Sequence, residues 1–276
     1  KANINDIGVC IIGNEEIYKV GDYNKKFTIQ SISKVFTLAL ALIDNGKDYV
    51  FNRVGFMGTD EPFNTIYKLG LDTTKYPANS MINAGAILTT SLIKKTNQEP
   101  IDRIIQFIKS ITKNDDIKIN EEVYLSEKQT GDRNKAMAYL MKSNDMISKD
   151  KNVEEVLDTY FKQCSLEIDS VDLAKLAFFI ADGCNGLDNY GKTNKEELTK
   201  ILLSEMLSCG MYNYSSEYLL RVGIPSKSGV GGGIMASSKG KYGIGIYSPG
   251  LDLNGNSKVG IEILEDLSKE LDLSVI

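Results

Sequence analysis

The sequence contains no histidine. A Ser-His-Asp triad and a Cys-His dyad both use imidazole as their base, so neither can operate here. Zinc sites that rely on imidazole are excluded for the same reason. If the chain is a hydrolase, its base is Lys, Asp, Glu or Tyr. Arginine is scarce too: Arg53, Arg103, Arg133 and Arg221 are the only ones. With a formal net charge of −5 and no basic tail, the chain lacks the clustered positive charge of a nucleic-acid groove. Few guanidinium groups also means few dedicated phosphate clamps. The cysteines Cys10, Cys164, Cys184 and Cys209 form no C-x-x-C pair, so neither a disulfide framework nor a zinc knuckle is expected. They read as buried thiols of a cytoplasmic protein. No apolar run approaches the ~20 residues that cross a bilayer; the longest, Val35 to Ile43, suits a core helix. Neither membrane nor nucleic acid is therefore an expected partner. Prolines number five, with no cluster, repeat or linker among them. Strand-like sequence begins almost at Lys1, so a further natural segment is expected upstream.

What is present suits one globular catalytic unit. The chain has 276 residues, 42% hydrophobic and 25% charged, enough to bury a substantial core. Residues 7–12 are apolar and β-branched, Gly13-Asn14 supplies a turn, and Ile17 to Val20 continues as a second strand. Phe27 to Gln30 leads into an apolar helix over about Ser31 to Asp44, closed by Asn45-Gly46. Residues from about 54 to 220 read mainly as helices, including Ala84–Lys95, Ile101–Ile111, Lys135–Lys142, Val153–Cys164, Ser170–Asp182 and Lys195–Cys209. Strand signals return at Gly229–Ala236 and Tyr242–Tyr247, and a last amphipathic helix covers about Lys258–Leu271. Strands at both chain ends find their cheapest partners in each other. The expectation is an α+β fold: a mostly antiparallel sheet lobe from about 1–53 and 221–276, flanked by helices, with a helical lobe over about 54–220. A cleft between the lobes is the expected ligand site.

Ser31-Ile32-Ser33-Lys34 puts a nucleophile and an amine three residues apart, on one helix face. An amide carbonyl is attacked by such an activated hydroxyl once the amine has taken its proton. The pattern alone is weak, because Ser91/Lys94, Ser110/Lys113, Ser148/Lys151 and Ser238/Lys241 share it. Context separates them. Ser31 opens a helix that is apolar on nearly every face, so Lys34 is a lysine in a core helix. Desolvation and the positive helix end both lower its pKa, as a general base near neutrality requires. The Ser31 backbone N–H, in the first turn, is available to an oxyanion. The competing reading is an N-cap serine with a snorkelling lysine, and the residues alone weigh the two evenly.

Lys227-Ser228-Gly229-Val230-Gly231-Gly232-Gly233 is no P-loop, since no Gly-Lys-Ser/Thr follows at the required spacing. It is no dinucleotide fingerprint either, because Ile234–Ala236 read as strand. Glycine in a strand marks a bulge or a close approach to backbone by a ligand. Lys-Ser-Gly is similar to the Lys-Thr-Gly strand that partners a Ser-x-x-Lys helix in serine β-lactamases and penicillin-binding proteins. A flexible hairpin edge is the alternative.

With both elements in hand, the chain resembles the serine-dependent glutaminases of the β-lactamase-like fold. The resemblance rests on Phe27 to Lys34, Met81 to Ile87, Ser126-Glu127 with Gly131 to Asn134, Tyr160 to Ser165, Ser208 to Tyr212, and Lys227 to Val230. Six stretches in order are far more specific than one. They imply Ser31 as nucleophile, Lys34 as base, an oxyanion hole from the Ser31 and Val230 amides, and Tyr212 as proton relay to departing ammonia. Asn83, Glu127, Asn134 and Tyr160 are implied to hold the glutamine head, with Lys227, Ser228 and Gly229 in support. The implied reaction is hydrolysis of L-glutamine to L-glutamate and ammonia through a glutamyl-serine ester, with no metal or organic cofactor. A homodimer or homotetramer is implied as well. Each binding residue has a plainer role open to it. Ser126-x-x-Gln129 could be a capping box with Glu127 as a first-turn acid, Asn83 an N-cap, Tyr160 a core aromatic and Tyr212 a loop residue.

Two departures from the family pattern stand out. A substrate-contacting tyrosine lies upstream of the family's first strand, before this sequence starts. Ser80 also stands in Pro77-Ala78-Asn79-Ser80 where the family usually has proline. Two rival functions remain. A β-lactam or D-amino-acid peptide hydrolase would need a Ser-Asp/Asn-Asn element, for which only Ser143-Asn144-Asp145 is present, on what reads as a solvated helix end. A non-catalytic amino-acid-binding module of the same fold is the other.

Overall fold

The computed structural model describes residues 3–13, 15–58 and 76–276. Strand β1 (Gly8–Ile12) pairs on one side with β2 (Ile17–Gly21). A two-stranded ribbon joins β3 (Phe27–Thr28) to β4 (Glu167–Ile168). From the C-terminal part come β5 (Ser226–Ser228), β6 (Gly233–Ser238) and β7 (Tyr242–Tyr247). The main sheet runs β2-β1-β7-β6-β5 with every pairing antiparallel. The two chain ends meet at β1 and β7, where Val9 lies opposite Ile246.

Alternation along β1 explains why both faces of the sheet are covered. Val9 joins Ile234, Ile244, Ile246, Ile261 and Leu264 on one face, under helices α10 (Ser215–Arg221) and α11 (Lys258–Glu270). Cys10 and Ile12 meet Ala174, Val171 and Phe178 of helix α8 (Ser170–Ala181) on the other. Thus α8, from within the span expected as a separate helical lobe, lies against the sheet. An Asp169/Asp172 capping box starts it.

Helix α1 (Ser33–Asn45) is buried continuously from Ser33 to Leu42. It packs against α3 (Asn83–Ser91), α4 (Pro100–Thr112) and α9 (Lys195–Cys209), with α2 (Lys47–Phe51) beyond its C-terminal end. Each buried Leu or Phe contributes about 1.5–3 kcal/mol here, so the polar Lys34 in the same helix has to be compensated locally. A second core forms between α3, α5 (Glu121–Thr130), α6 (Asp132–Ser143) and α7 (Val153–Cys164), around Ile87, Leu88, Met137, Leu157 and Phe161. All four cysteines are free thiols and buried. No helix among the described residues is long and apolar enough to cross a membrane.

Local geometry differs from expectation in two places that bear on the site. Gln30–Ile32 form a short 3-10 turn ahead of α1, so Ser31 sits before the α-helix rather than in its first turn. Gly229–Gly232 form a hairpin turn between β5 and β6 instead of starting a strand. The turn closes through Gly232 N–H to Gly229 O, with Gly232 at φ +94°. The close backbone approach that the glycines permit is to the chain itself. A Cβ on Gly231 would lie 2.5 Å from Thr28 O, so the turn is pressed against the segment that leads into Ser31.

Candidate active site

Two non-glycine residues beside the Ser-x-x-Lys element have left-handed backbone: Gln30 at φ +49° and Tyr212 at φ +55°. Such conformations persist where surrounding structure enforces them, and they gather at functional sites. Gln30 immediately precedes Ser31. Tyr212 opens a short 3-10 turn after α9. Ser31 is only 9% exposed, and no side chain caps either the 3-10 turn or α1. Ser31 is therefore not an N-cap.

Lys34 is wholly buried. Burial holds its amine down to about 8, against the smaller opposing pull of the Cys164 and Glu127 charges. The amine donates to Met81 O at 3.1 Å and to Asn83 Oδ1 at 2.7 Å. Asn83 in turn donates from Nδ2 to Asn134 Oδ1 at 3.0 Å. With its Oδ1 accepting from the Lys34 amine, Asn83 turns its Nδ2 donors to Asn134. Asn83 is thereby tied to Lys34 and Asn134, and α3 has no side-chain cap.

Tyr212, in the turn after α9, lies beside Ser31. Its hydroxyl donates to Ser228 O at 3.1 Å, and the Ser31 side chain and the Val230 N–H lie close enough to act on its pKa. Burial raises the Tyr212 pKa, and the Ser31 side chain only partly offsets this, so the phenol keeps its proton. Lys227, also wholly buried, donates to Ser228 O at 2.7 Å and Gly210 O at 3.0 Å. Its amine lies 4.4 Å from the centre of the Tyr212 ring. Burial, reinforced by the Lys34 charge, drives the Lys227 pKa well down. Two buried amines, close enough for the charge of one to act on the other, and a protonated phenol thus share one region, and the phenol lies beside Ser31.

Glu127, Asn134 and Tyr160 come from α5, α6 and α7. Asn120, not Ser126, caps α5, so Glu127 lies mid-helix and the capping-box role is removed. Tyr160 is 3% exposed and lies close to Cys164, and burial raises its pKa. Cys164, whose thiol burial pushes up to about 12, lies 4.0 Å from Ser33 Oγ. Of the supporting residues, Lys227 and Ser228 end β5, while Gly229 and Val230 enter the turn.

Sequence reasoning missed two participants. Gln30 Nε2 reaches Glu127 Oε1 at 3.4 Å and Thr28 Oγ1 at 3.3 Å. The signal available was its place directly before Ser31. The Met81 carbonyl that accepts from Lys34 is a backbone group, which no residue pattern reveals.

A family model described as Glutaminase matches residues 1–276. The glutaminase of Clostridioides difficile strain 630 is 51% identical, across 99% of this chain and 89% of the relative. Glutaminase 2 of Clostridium perfringens strain 13 is 50% identical, across 100% and 90%. The crystal structure of a Bacillus subtilis probable glutaminase superposes with a TM-score of 0.90 at 34% identity, covering 98% of this chain and 90% of that one. Mglu in its glutamate form superposes with a TM-score of 0.88 at 30% identity, covering 100% of this chain and 63% of that one. The mixed helix and antiparallel-sheet architecture of the β-lactamase-like fold is common to them.

Proposed function

The chain belongs to the glutaminase family, hydrolases of the L-glutamine side-chain amide, and from that premise we propose that Ser31 carries the acyl group and Lys34 takes its proton. The observation that carries this reading is the hydrogen-bond inventory of Lys34. A neutral amine has two N–H donors and one lone pair. Met81 O and Asn83 Oδ1 match the two donors, which leaves the lone pair for a hydroxyl proton. With its pKa held to about 8, a usable fraction of the amine is neutral near physiological pH.

The proposed reaction has two halves. Ser31 Oγ attacks the side-chain amide carbon of L-glutamine as Lys34 accepts its proton. Negative charge then develops on the amide oxygen, and the Ser31 and Val230 N–H groups stabilise it. The Val230 N–H acts on the Tyr212 phenol, and bound substrate turns that donor to its own oxygen. The C–N bond breaks and ammonia leaves with a proton passed through Tyr212. Water, activated by the again-neutral Lys34, hydrolyses the glutamyl ester and frees L-glutamate. Glu127 suits the substrate ammonium. Asn134 Nδ2 and the Tyr160 hydroxyl suit its carboxylate. The four buried thiols fit a reducing compartment, the cytoplasm, and a homodimer or homotetramer is the proposed assembly. Replacement of Ser31 by Ala tests the reading through ammonia release from glutamine: turnover should vanish, and wild-type turnover refutes the assignment.

A further inference from the structure

The two acceptors that hold the Lys34 amine, Met81 O and Asn83 Oδ1, lie on one short segment between residue 79 and the start of α3. Asn79 shapes that segment locally by accepting from Met81 N–H at 3.0 Å and Ile82 N–H at 3.1 Å. Asn79 also lies against α3: a Cβ on Gly85 would stand 1.8 Å from Asn79 O. The tie to α9 is made by the residue between. Ser80 Oγ donates to Glu205 Oε2 at 2.6 Å, and the Ser80 backbone N–H lies close enough to lower the pKa of the same carboxyl group. Ser80 is wholly buried and Glu205 is 3% exposed. Helix α9 packs on α1, the helix that bears Lys34.

We propose that Glu205, acting through Ser80, is a positioning residue for Lys34: it fixes the segment whose Met81 carbonyl and Asn83 side chain orient the amine toward Ser31. The proposal rests on the reading of Lys34 as the base. A buried carboxyl group costs stability unless it is well bonded, and burial raises the pKa of Glu205 while the two Ser80 donors pull it back. The charges that act on Lys34 are those of Cys164 and Glu127. Glu205 therefore works through position, not through its field. Proline at residue 80 would have neither a hydroxyl nor a backbone N–H to give to Glu205.

The test is steady-state ammonia release from L-glutamine by the full chain, across a pH series, for Ser80→Ala, Glu205→Ala and Glu205→Gln, with Ser31→Ala alongside. Misplacement of a catalytic group by an ångström costs up to about 100-fold. Ser80→Ala and Glu205→Ala should lose about ten-fold or more in kcat with KM within about two-fold, and the acid limb of kcat should move. Glu205→Gln keeps an acceptor for both Ser80 donors and should stay within about three-fold of wild type. A folded Ser80→Ala with wild-type kcat and an unmoved acid limb overturns the proposal, whatever its Tm. If Ser80→Ala does not fold, the Glu205 pair decides: a ten-fold loss of kcat in Glu205→Ala that Glu205→Gln restores supports positioning by hydrogen bond, and wild-type kcat in Glu205→Ala or an equal loss in both overturns it. Turnover by Ser31→Ala would instead overturn the acyl-enzyme reading, so the two failures are distinguishable.

Discussion

The wholly buried Lys34 amine and the partly buried Asn83 side-chain oxygen are joined by a 2.7 Å hydrogen bond. The uncharged amide lets Lys34 shed its proton. A carboxylate in its place would favour the cation by about 1–3 pKa units. Asn83→Asp should therefore lower kcat/KM near neutrality by about ten-fold for each unit of that shift, with recovery at alkaline pH. An unchanged pH profile in that variant would show that Asn83 does not govern the base.

The pH profile of the wild-type chain follows from the same amine. Only neutral Lys34 can take the Ser31 proton, so kcat/KM should rise with pH and level off above about 8. Steady-state rates in buffers of constant ionic strength check this. A limb at the ordinary lysine value of 10.5 would contradict a desolvated base.

Stability carries a matching signature. The folded pKa of Lys34, about 8, lies below the ordinary 10.5. Between those values the unfolded chain holds the proton and the folded chain does not. The stability linked to Lys34 is thus fully present above the upper value and is lost as pH falls through the lower one. Relative to Lys34→Met, the wild-type chain should gain up to about 1.4 kcal/mol per pH unit across that window. Urea titrations of both proteins at several alkaline pH values measure it, and parallel curves would show no such linkage.

Tyr212 and Glu127 should separate kinetically. Tyr212→Phe removes the hydroxyl between Ser31 and Val230, and general acid–base groups contribute about 10²–10⁴-fold. Its kcat should fall within that range while KM changes little. Glu127→Gln removes the carboxylate proposed for the substrate ammonium, and a lost charge-assisted bond of about 1.5–3 kcal/mol should appear chiefly as a higher KM.

The thiols give a check on burial that is independent of catalysis. Burial lifts Cys10, Cys184 and Cys209 to about 11 and Cys164 to about 12. None should react quickly with a thiol-specific chromogenic disulfide in the native state, and all four should react once the chain is unfolded. Rapid loss of a thiol from the native protein would contradict the packing around it.

How much of this was legible in the sequence depends on the range of the interaction. Helices α7 and α9 were readable with their bounds because Asn152 and Asn194 cap them and apolar residues recur at helical spacing. The pairing of β1 with β7 followed from strands with no other partners. The burial of Lys34 followed from the apolar helix around it. The 3-10 turn at Ser31 did not follow, because nothing in the local pattern marks the positive φ of Gln30, whose side chain reaches Glu127 far along the chain. Nor did the Ser80–Glu205 bond, which spans 125 positions. The Ser126-x-x-Gln129 pattern, open to a capping-box reading, is not one: Asn120, six residues before Ser126, already caps the helix. Local chemistry writes itself into sequence, whereas contacts that close only on folding leave no pattern.

The central claim is that Ser31 becomes a glutamyl ester during turnover. The most direct measurement is rapid acid quench of the chain with L-glutamine during turnover, followed by intact-mass analysis and peptide mapping. The account predicts a transient adduct of one glutamyl group on the peptide that contains Ser31, absent from Ser31→Ala. Turnover without any adduct under single-turnover sampling, or an adduct on another residue, would contradict it.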